Sequence, residues 1–477
     1  MKLQDKGSGR VLRKYFLAIP AIFFAGIPGC VHSAVWNNEL GVGLGFGYVD
    51  NIALEQPGSE ESEYVLQVTP FIRLNAEGGR LDFDVIYRMQ VVNYAESENE
   101  NTIYHQLFSE LNTELLEQFF FLDLRATNTQ SAILANASIP QDNISITDNR
   151  TNITTTTISP YINARILSET ELLLRYTYTK TKYDDIGLFE PVIDNQSVIA
   201  ELSSVDSPVD WRLGYLRNEF NTNIVEGNYY EDASVTLRYN LVPQLVPFTT
   251  IGNEKNRIAN STFDSGGMYW DIGLFWQPTP RTNTSAAYGE RFYGTAYAFT
   301  WTTRRRRTQI NVSYAETVTN AGAVFAGQPS PDSAPPGGND EFVPISIRPF
   351  LRKRIESNFN YNYSKTNLNW YLYREHRTFL TGAPDEEYNY GTTLSWFWRL
   401  TGRTRPAVSI GWQRIQVETP GYEDNRLWNI NLGITHITSE RIRTSINYRY
   451  LEQESTNIIN NYRQNMISAG IVILFAE

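Results

Sequence analysis

From residue 39 onward, large apolar and small or polar residues alternate with a period of two. In "ELGVGLGFGYVDN" the residues Leu40, Val42, Leu44, Phe46 and Tyr48 stand on one face and Gly41, Gly43, Gly45 and Gly47 on the other, the signature of an extended strand with two unlike faces. "DFDVIYRMQVVNY" sets Phe83, Val85, Tyr87, Met89 and Val91 against Asp82, Asp84, Arg88 and Gln90. "ELLLRYTY", "SVTLRYNL" and "MYWDIGLFW" repeat the pattern, with Leu174 and Tyr176 flanking Arg175 and with Val235 and Leu237 opposite Arg238. "RIRTSINYRY" places Ile446 and Tyr448 opposite Arg443 and Asn447, and "ISAGIVILF" ends the series at Phe475.

Many of these segments run to ten residues or more. Strands of soluble sandwiches are typically about five or six residues long, whereas a tilted strand needs about 9–11 to cross hydrocarbon. Tyr and Trp gather toward the strand ends, where interfacial girdles belong. The connections alternate in length: "AEGG", "LEQ", "SE", "PTPR", "TGR" and "SE" are tight, and "EQPGSEESE", "AESENEN", "QSAILANASIPQDNISITDN" and "AGAVFAGQPSPDSAPPGGNDE" are long and polar. Short periplasmic turns and long outer loops are the asymmetry of outer-membrane barrels. The pattern predicts an all-β, transmembrane, antiparallel up-and-down β-barrel with an even number of strands, between about 16 and 22 and best counted as 22. No compact segment before Leu40 could serve as a plug domain.

The chain opens with Lys2, Lys6, Arg10, Arg13 and Lys14 ahead of "YFLAIPAIFFAGI", a secretory signal peptide in its charge, length and small-residue exit. Residues 1–34 are read as this signal, cut near 33 or 34, and 35–477 as a single barrel. The one cysteine, Cys30, leaves with it, so neither disulfides nor thiolates act in the exported chain. Removing the five basic residues and Asp5 from 41 Lys+Arg and 52 Asp+Glu leaves 36 against 51, a formal net of −15. Such acidity excludes nucleic acid as a natural partner, and the run Arg304 to Arg307 reads instead as a periplasmic turn, like those holding Arg281, Arg403, Arg405 and Arg441. The long connections carry the opposite sign, with Glu60, Glu61 and Glu63, then Glu96, Glu98 and Glu100, then Asp385, Glu386 and Glu387.

The stretches "GFGYVDNIAL", "YVLQVTPFIRLNAEGGRLDFDVIYRMQVVNY" and "NTIYHQLFSELNTELLEQFFFLDLRA" resemble the PEP-CTERM (exosortase) system-associated outer membrane protein family. The shared elements are Tyr-x-Asp-Asn after the first strand, Thr-Pro in the second and His-Gln-Leu in the fourth. The resemblance covers about the first hundred exported residues; beyond residue 130 it is one of length and pattern. It implies a Gram-negative outer-membrane location and an association with exopolysaccharide production and protein sorting, and it implies no enzymatic activity.

The chemistry on offer is sparse. The alternate glycines lack the spacing of a dinucleotide fingerprint, since Phe46, Tyr48 and Asp50 stand five residues after Gly41, Gly43 and Gly45. His105, His376 and His436 have no nucleophile beside them in sequence and read as girdle or hydrogen-bonding residues. No catalytic, cofactor or metal site is expected. Asp50 and Asn51 end the first strand and read as turn formers. Arg88, Arg175, Arg212, Arg238, Arg354 and Arg443 are expected to line the lumen, where guanidinium groups hold carboxylates or stack on rings. The leading reading is a non-catalytic channel or secretion component serving exopolysaccharide export. It implies outer-membrane lipid, the barrel-assembly machinery, periplasmic export components and the polymer itself as partners. The alternative is a docking barrel with a filled lumen that anchors surface polymer or sorted proteins.

Overall fold

The computed structural model describes residues 34–476 apart from 135–136, 168, 185–190, 205–208, 224–225, 259–265, 328–347, 382–385 and 419–422. The signal segment with Cys30, most of the Pro/Gly-rich stretch before residue 350, and Asp385 lie outside the described residues. Among the described residues, 22 strands form one antiparallel sheet that closes on itself. Those rising from the end that carries both termini are β1 (Val35–Val49), β3 (Leu81–Tyr94), β5 (Phe120–Ser131), β7 (Thr170–Tyr183), β9 (Val209–Thr222), β11 (Leu245–Arg257), β13 (Thr282–Arg291), β15 (Thr308–Thr319), β17 (Thr366–Phe379), β19 (Thr404–Glu418) and β21 (Ile442–Ser455). Those returning are β2 (Glu63–Glu77), β4 (Thr102–Leu116), β6 (Thr151–Leu167), β8 (Val192–Ser204), β10 (Tyr229–Tyr239), β12 (Gly266–Thr279), β14 (Gly294–Arg304), β16 (Phe350–Tyr363), β18 (Glu386–Trp398), β20 (Glu423–Ile437) and β22 (Tyr462–Ala476).

Each strand pairs with its chain neighbours, and β1 closes on β22 from Gly41↔Leu474 to Val49↔Met466. The outer face is apolar: Leu44, Phe46, Leu174, Val235, Ile272, Ile446 and Ile467 are all exposed there. Aromatic rows bound it. Trp270, Tyr288 and Tyr297 touch across three strands at 6.0 and 5.5 Å, and Trp276 and Trp301 stand at one height toward the opposite rim through their shared partner Thr284. An apolar band between two aromatic girdles on a closed barrel is the surface a bilayer requires. The chain is therefore a 22-stranded outer-membrane β-barrel, and the rim with short turns and both termini is the periplasmic one.

The glycines of β1 face inward and do two different things. A Cβ on Gly41 would lie 2.7 Å from the Phe71 ring, which covers it from β2. Gly43 and Gly45 would meet nothing nearer than 3.6 Å, so they leave room. Gly391 repeats the first arrangement under Tyr373, 2.2 Å from an added Cβ. An aromatic side chain folded over a strand glycine fills the hole the glycine leaves and fixes the register of the pair. Phe83 shares the outer face as expected but is buried, edge-on to Trp36 at 6.2 Å and paired with Leu111.

Candidate functional site

Two chain segments turn inward at the extracellular half of the lumen. The first, in its described residues 132–134 and 137–150 between β5 and β6, is one the sequence pattern presents as an outer loop; the structure corrects this. Ile144 packs with Val49, Val65, Val92 and Met466 on the inner faces of β1 to β3 and β22, and Ile139 with Ile415 and Leu427 of β19 and β20. Burial of these side chains supplies the driving force, at roughly 1.5–3 kcal/mol for each fully covered residue.

Hydrogen bonds then fix the path of the segment. Tyr94 donates to the Ile144 carbonyl at 2.6 Å, Tyr462 to the Ile139 carbonyl at 2.6 Å, and Gln453 both accepts from the Ile139 amide at 2.9 Å and donates to the Ala137 carbonyl at 3.0 Å. Asn143 donates to Gln90 and Gln130 at 3.1 and 3.0 Å, and Arg449 forms an ion pair with Asp142.

The second inward segment is a short helix, α1 (Ala321–Ala326), following β15. Asn320 caps it by accepting from the Ala323 amide at 3.0 Å, and exchanges two amide hydrogen bonds with Asn195 of β8 at 2.7 and 3.0 Å. Ala321 and Phe325 pack on Ile153, Tyr183 and Ile193, so the helix lies on the inner face of β6 to β8. With 132–150 on one side and α1 on another, the lumen is narrowed above its middle.

Below α1 the wall carries paired hydroxyls: Thr155 with Thr181 at 3.2 Å, Thr157 with Thr179 at 3.0 Å, and Ser159 with Thr177 at 2.8 Å. Arg175 closes the ladder. It donates to Asp123 at 2.8 Å and to Ser159 at 3.1 Å, and its guanidinium lies 3.8 Å from the Tyr161 ring centre. A cavity of about 420 Å³ opens there, lined also by Asn112, Asn195 and Asn218. Hydroxyls, amides and one stacked guanidinium form a surface suited to a polyhydroxylated ligand.

The other arginines expected in the lumen also lie on the inner face. Arg212 stands 3.6 Å from Glu201, and Arg443 stands 3.7 Å from Glu39, which Arg73 approaches from the other side at 3.7 Å. Arg354 binds Glu375 at 2.6 Å and Glu356 at 3.0 Å and lies over the Tyr373 ring. Arg238 faces Asp210 across the β9–β10 register, and Arg88 pairs in register with Phe71 and Gln106. They are distributed around the barrel rather than gathered into one site.

Two carboxylates that sequence reasoning missed sit at the centres of charge clusters. Glu375, fully buried, is held by Arg352, Arg354 and Arg377 at 2.5–2.6 Å. Glu254 is held by Arg291 at 2.5 Å and by the Tyr230 hydroxyl at 2.9 Å.

Asp50 and Asn51 do more than end a strand. Asp50 accepts from the Asn465 backbone amide at 2.6 Å and from its side-chain amide at 2.7 Å. Asn51, fully buried, donates to the carbonyls of Glu55 and Arg463 at 2.8 and 2.9 Å and accepts from the Glu55 amide at 2.9 Å. Together they latch the first strand to the last at the extracellular rim. The histidines lie on the outer face: His105 is 2.8 Å from the Tyr87 hydroxyl, His376 stacks on Tyr388 at 4.4 Å, and His436 is 3.1 Å from Thr404. Among the described residues no group of three His, Asp or Glu side chains is arranged to hold a metal ion.

No protein-family profile and no curated protein sequence matches the chain. Among solved structures it is similar to a mutant ferric enterobactin receptor of Pseudomonas aeruginosa, at 9% identity and TM-score 0.48 over 92% of this chain and 80% of that one. The siderophore receptor PirA of Acinetobacter baumannii gives 7% identity and TM-score 0.48 over 92% and 81%. OccK2 (OpdF) of Pseudomonas aeruginosa gives 9% and 0.35 over 92% and 99%.

Proposed function

We propose that this barrel is a non-catalytic outer-membrane conduit for a hydroxyl-rich polymer, in keeping with the exopolysaccharide and exosortase association implied by the family resemblance of its first hundred exported residues. The observation that carries the reading is the inner wall below α1, where the Thr157–Thr179 and Ser159–Thr177 hydroxyl pairs, with Asn112 and Asn218, offer donors and acceptors to a sugar chain. Weak, exchangeable hydrogen bonds of this kind hold a passing polyol without trapping it. The test is electrical. Purified protein in planar bilayers should conduct, and neutral maltooligosaccharides should interrupt the current in a length-dependent way. Substituting Thr157, Thr179 and Asn218 by Val, Val and Leu should shorten the interruptions. A folded protein that never conducts removes the conduit reading. The docking barrel then stands in its place, favoured by the inward segment 132–150 pinned to the wall at Ile139 and Ile144.

A further inference from the structure

The barrel wall is not continuous to its outer rim. β14 pairs with β13 along its whole length, to Arg291↔Gly294. With β15 it pairs only from Arg304↔Gln309 to Phe299↔Tyr314. Above that row β15 continues to Thr319 beside β16, yet 294–298 and 315–319 share no ladder. The β13–β14 hairpin is short, with strands of 10 and 11 residues, and Phe292 and Tyr293 alone connect them. Gly294, at φ +101°, turns the chain back. The break begins at the height of the outer girdle, where Tyr297 faces lipid next to Tyr288.

A cavity of about 530 Å³ lies against the break, lined by both of its edges, including Ala296, Ala298, Ala315 and Thr317. Glu316 lies at this edge with its side chain only 2% exposed. One of its oxygens accepts from the Tyr314 hydroxyl at 2.6 Å. The other, Oε2, forms an ion pair with Lys353 Nζ at 3.8 Å, and the Tyr293 hydroxyl also faces the carboxylate.

Two open strand edges beside a buried carboxylate, at the depth of a membrane interface, demand polar partners. An acyl chain has none to give. A sugar chain gives hydroxyl donors and acceptors together, and its ring faces suit the aromatic rings of Phe292, Tyr293 and Tyr297 that line the same cavity. We propose that the break between β14 and β15 is a side opening that binds a glycan chain, joining the lumen to the headgroup layer of the outer leaflet. The glycan comes either from the polymer in the lumen, a source that rests on the conduit reading, or from a glycolipid of the leaflet.

The opening is tested with cysteine pairs, since the exported chain carries no cysteine of its own. Ala298→Cys with Ala315→Cys places a pair one row above the last paired residues, and Thr300→Cys with Ser313→Cys places a matched pair inside the ladder. The second pair should cross-link under mild oxidation and the first should not, because a disulfide needs Cα atoms within about 7 Å. A disulfide at 298–315 overturns the opening.

Glycan binding is read from maleimide labelling of the single variant Ala315→Cys in glycolipid-free micelles. Maltoheptaose at about ten times its Kd should slow labelling about tenfold. Adding Glu316→Gln should weaken that protection about tenfold or more. Protection in vesicles by lipopolysaccharide alone identifies the leaflet as the source; protection only by added oligosaccharide identifies the lumen. Labelling untouched by both overturns glycan binding and leaves water as the filler. Absence of conductance with protection intact removes the conduit reading and leaves the opening standing.

Discussion

Exchanging neighbours on β7 measures the two faces of the wall against each other. Leu174 points to lipid, 41% exposed, between Leu172 and Tyr176 on the same face. Arg175, one residue on, points into the lumen with Asp123 at 2.8 Å. Leu174→Arg sets an uncompensated cation in the apolar band, at a cost of about 2–4 kcal/mol near the midplane. Arg175→Leu removes an ion pair whose members are 29% and 28% exposed to the lumen, worth about 0–1 kcal/mol, and a stacking contact on Tyr161 worth about 0.5–1 kcal/mol. Asp123 stays hydrated after the change. Leu174→Arg should therefore be the more destabilising by about 1–2 kcal/mol, although it adds a charge to an acidic protein and Arg175→Leu removes one. Urea-driven equilibrium folding into phosphatidylcholine vesicles, followed by tryptophan fluorescence and heat-modifiable mobility, reads the difference. Equal losses, or a greater loss for Arg175→Leu, would refute the assignment of the faces.

Three further outcomes follow from the same geometry. Asn51→Ala removes the three hydrogen bonds that the buried Asn51 amide makes to the backbone of Glu55 and Arg463, and should lower stability in the vesicle assay by about 2 kcal/mol; an unchanged midpoint would show that the latch between β1 and β22 carries no load. Gln453→Ala with Tyr462→Phe removes three of the bonds that pin 132–150 to the wall, so single-channel conductance should rise, and an unaltered conductance would mean that the segment does not narrow the path. On intact cells an impermeant maleimide should label Glu98→Cys, between β3 and β4, and not Gly402→Cys, between β18 and β19, whereas labelling at Gly402→Cys alone would invert the orientation.

The wall was legible because period-two alternation is a local property: each strand announces its outer face through its own residues. The inward segments were not, because 132–150 is polar on average and the two isoleucines that seat it, Ile139 and Ile144, stand apart among polar residues. A signal for them does exist, on the strands. Near the extracellular ends the inner phase also turns apolar, with Val65 between the outward Tyr64 and Leu66, Val92 after the outward Val91, and Ile153 and Ile193 at the tops of β6 and β8. A strand apolar on both faces must be covered on both. Charge pairing was hidden for another reason. Asp123 lies 52 residues from Arg175, and only the registers of β5, β6 and β7 bring them to one height, across the Ser159–Tyr161 stretch that separates them.

That pairing changes what the lumen does to a charged solute. Isolated inward arginines would concentrate anions along the whole path, since a low-dielectric wall focuses the field of fixed charge. Arg175, Arg212, Arg354 and Arg443 each stand within 3.7 Å of a carboxylate, and the field of such a pair falls off as a dipole's does, within a few ångströms of the wall. The cations of the periplasmic turns are different: Arg304, Arg305, Arg306 and Arg403 are all exposed at the inner mouth. Anion attraction therefore belongs to the entrance and fades with salt as the Debye length falls from about 30 Å to about 3 Å. Past the entrance, the inner wall presents hydroxyls, amides and neutralised charge, a surface that discriminates by hydrogen bonding and shape more than by net charge.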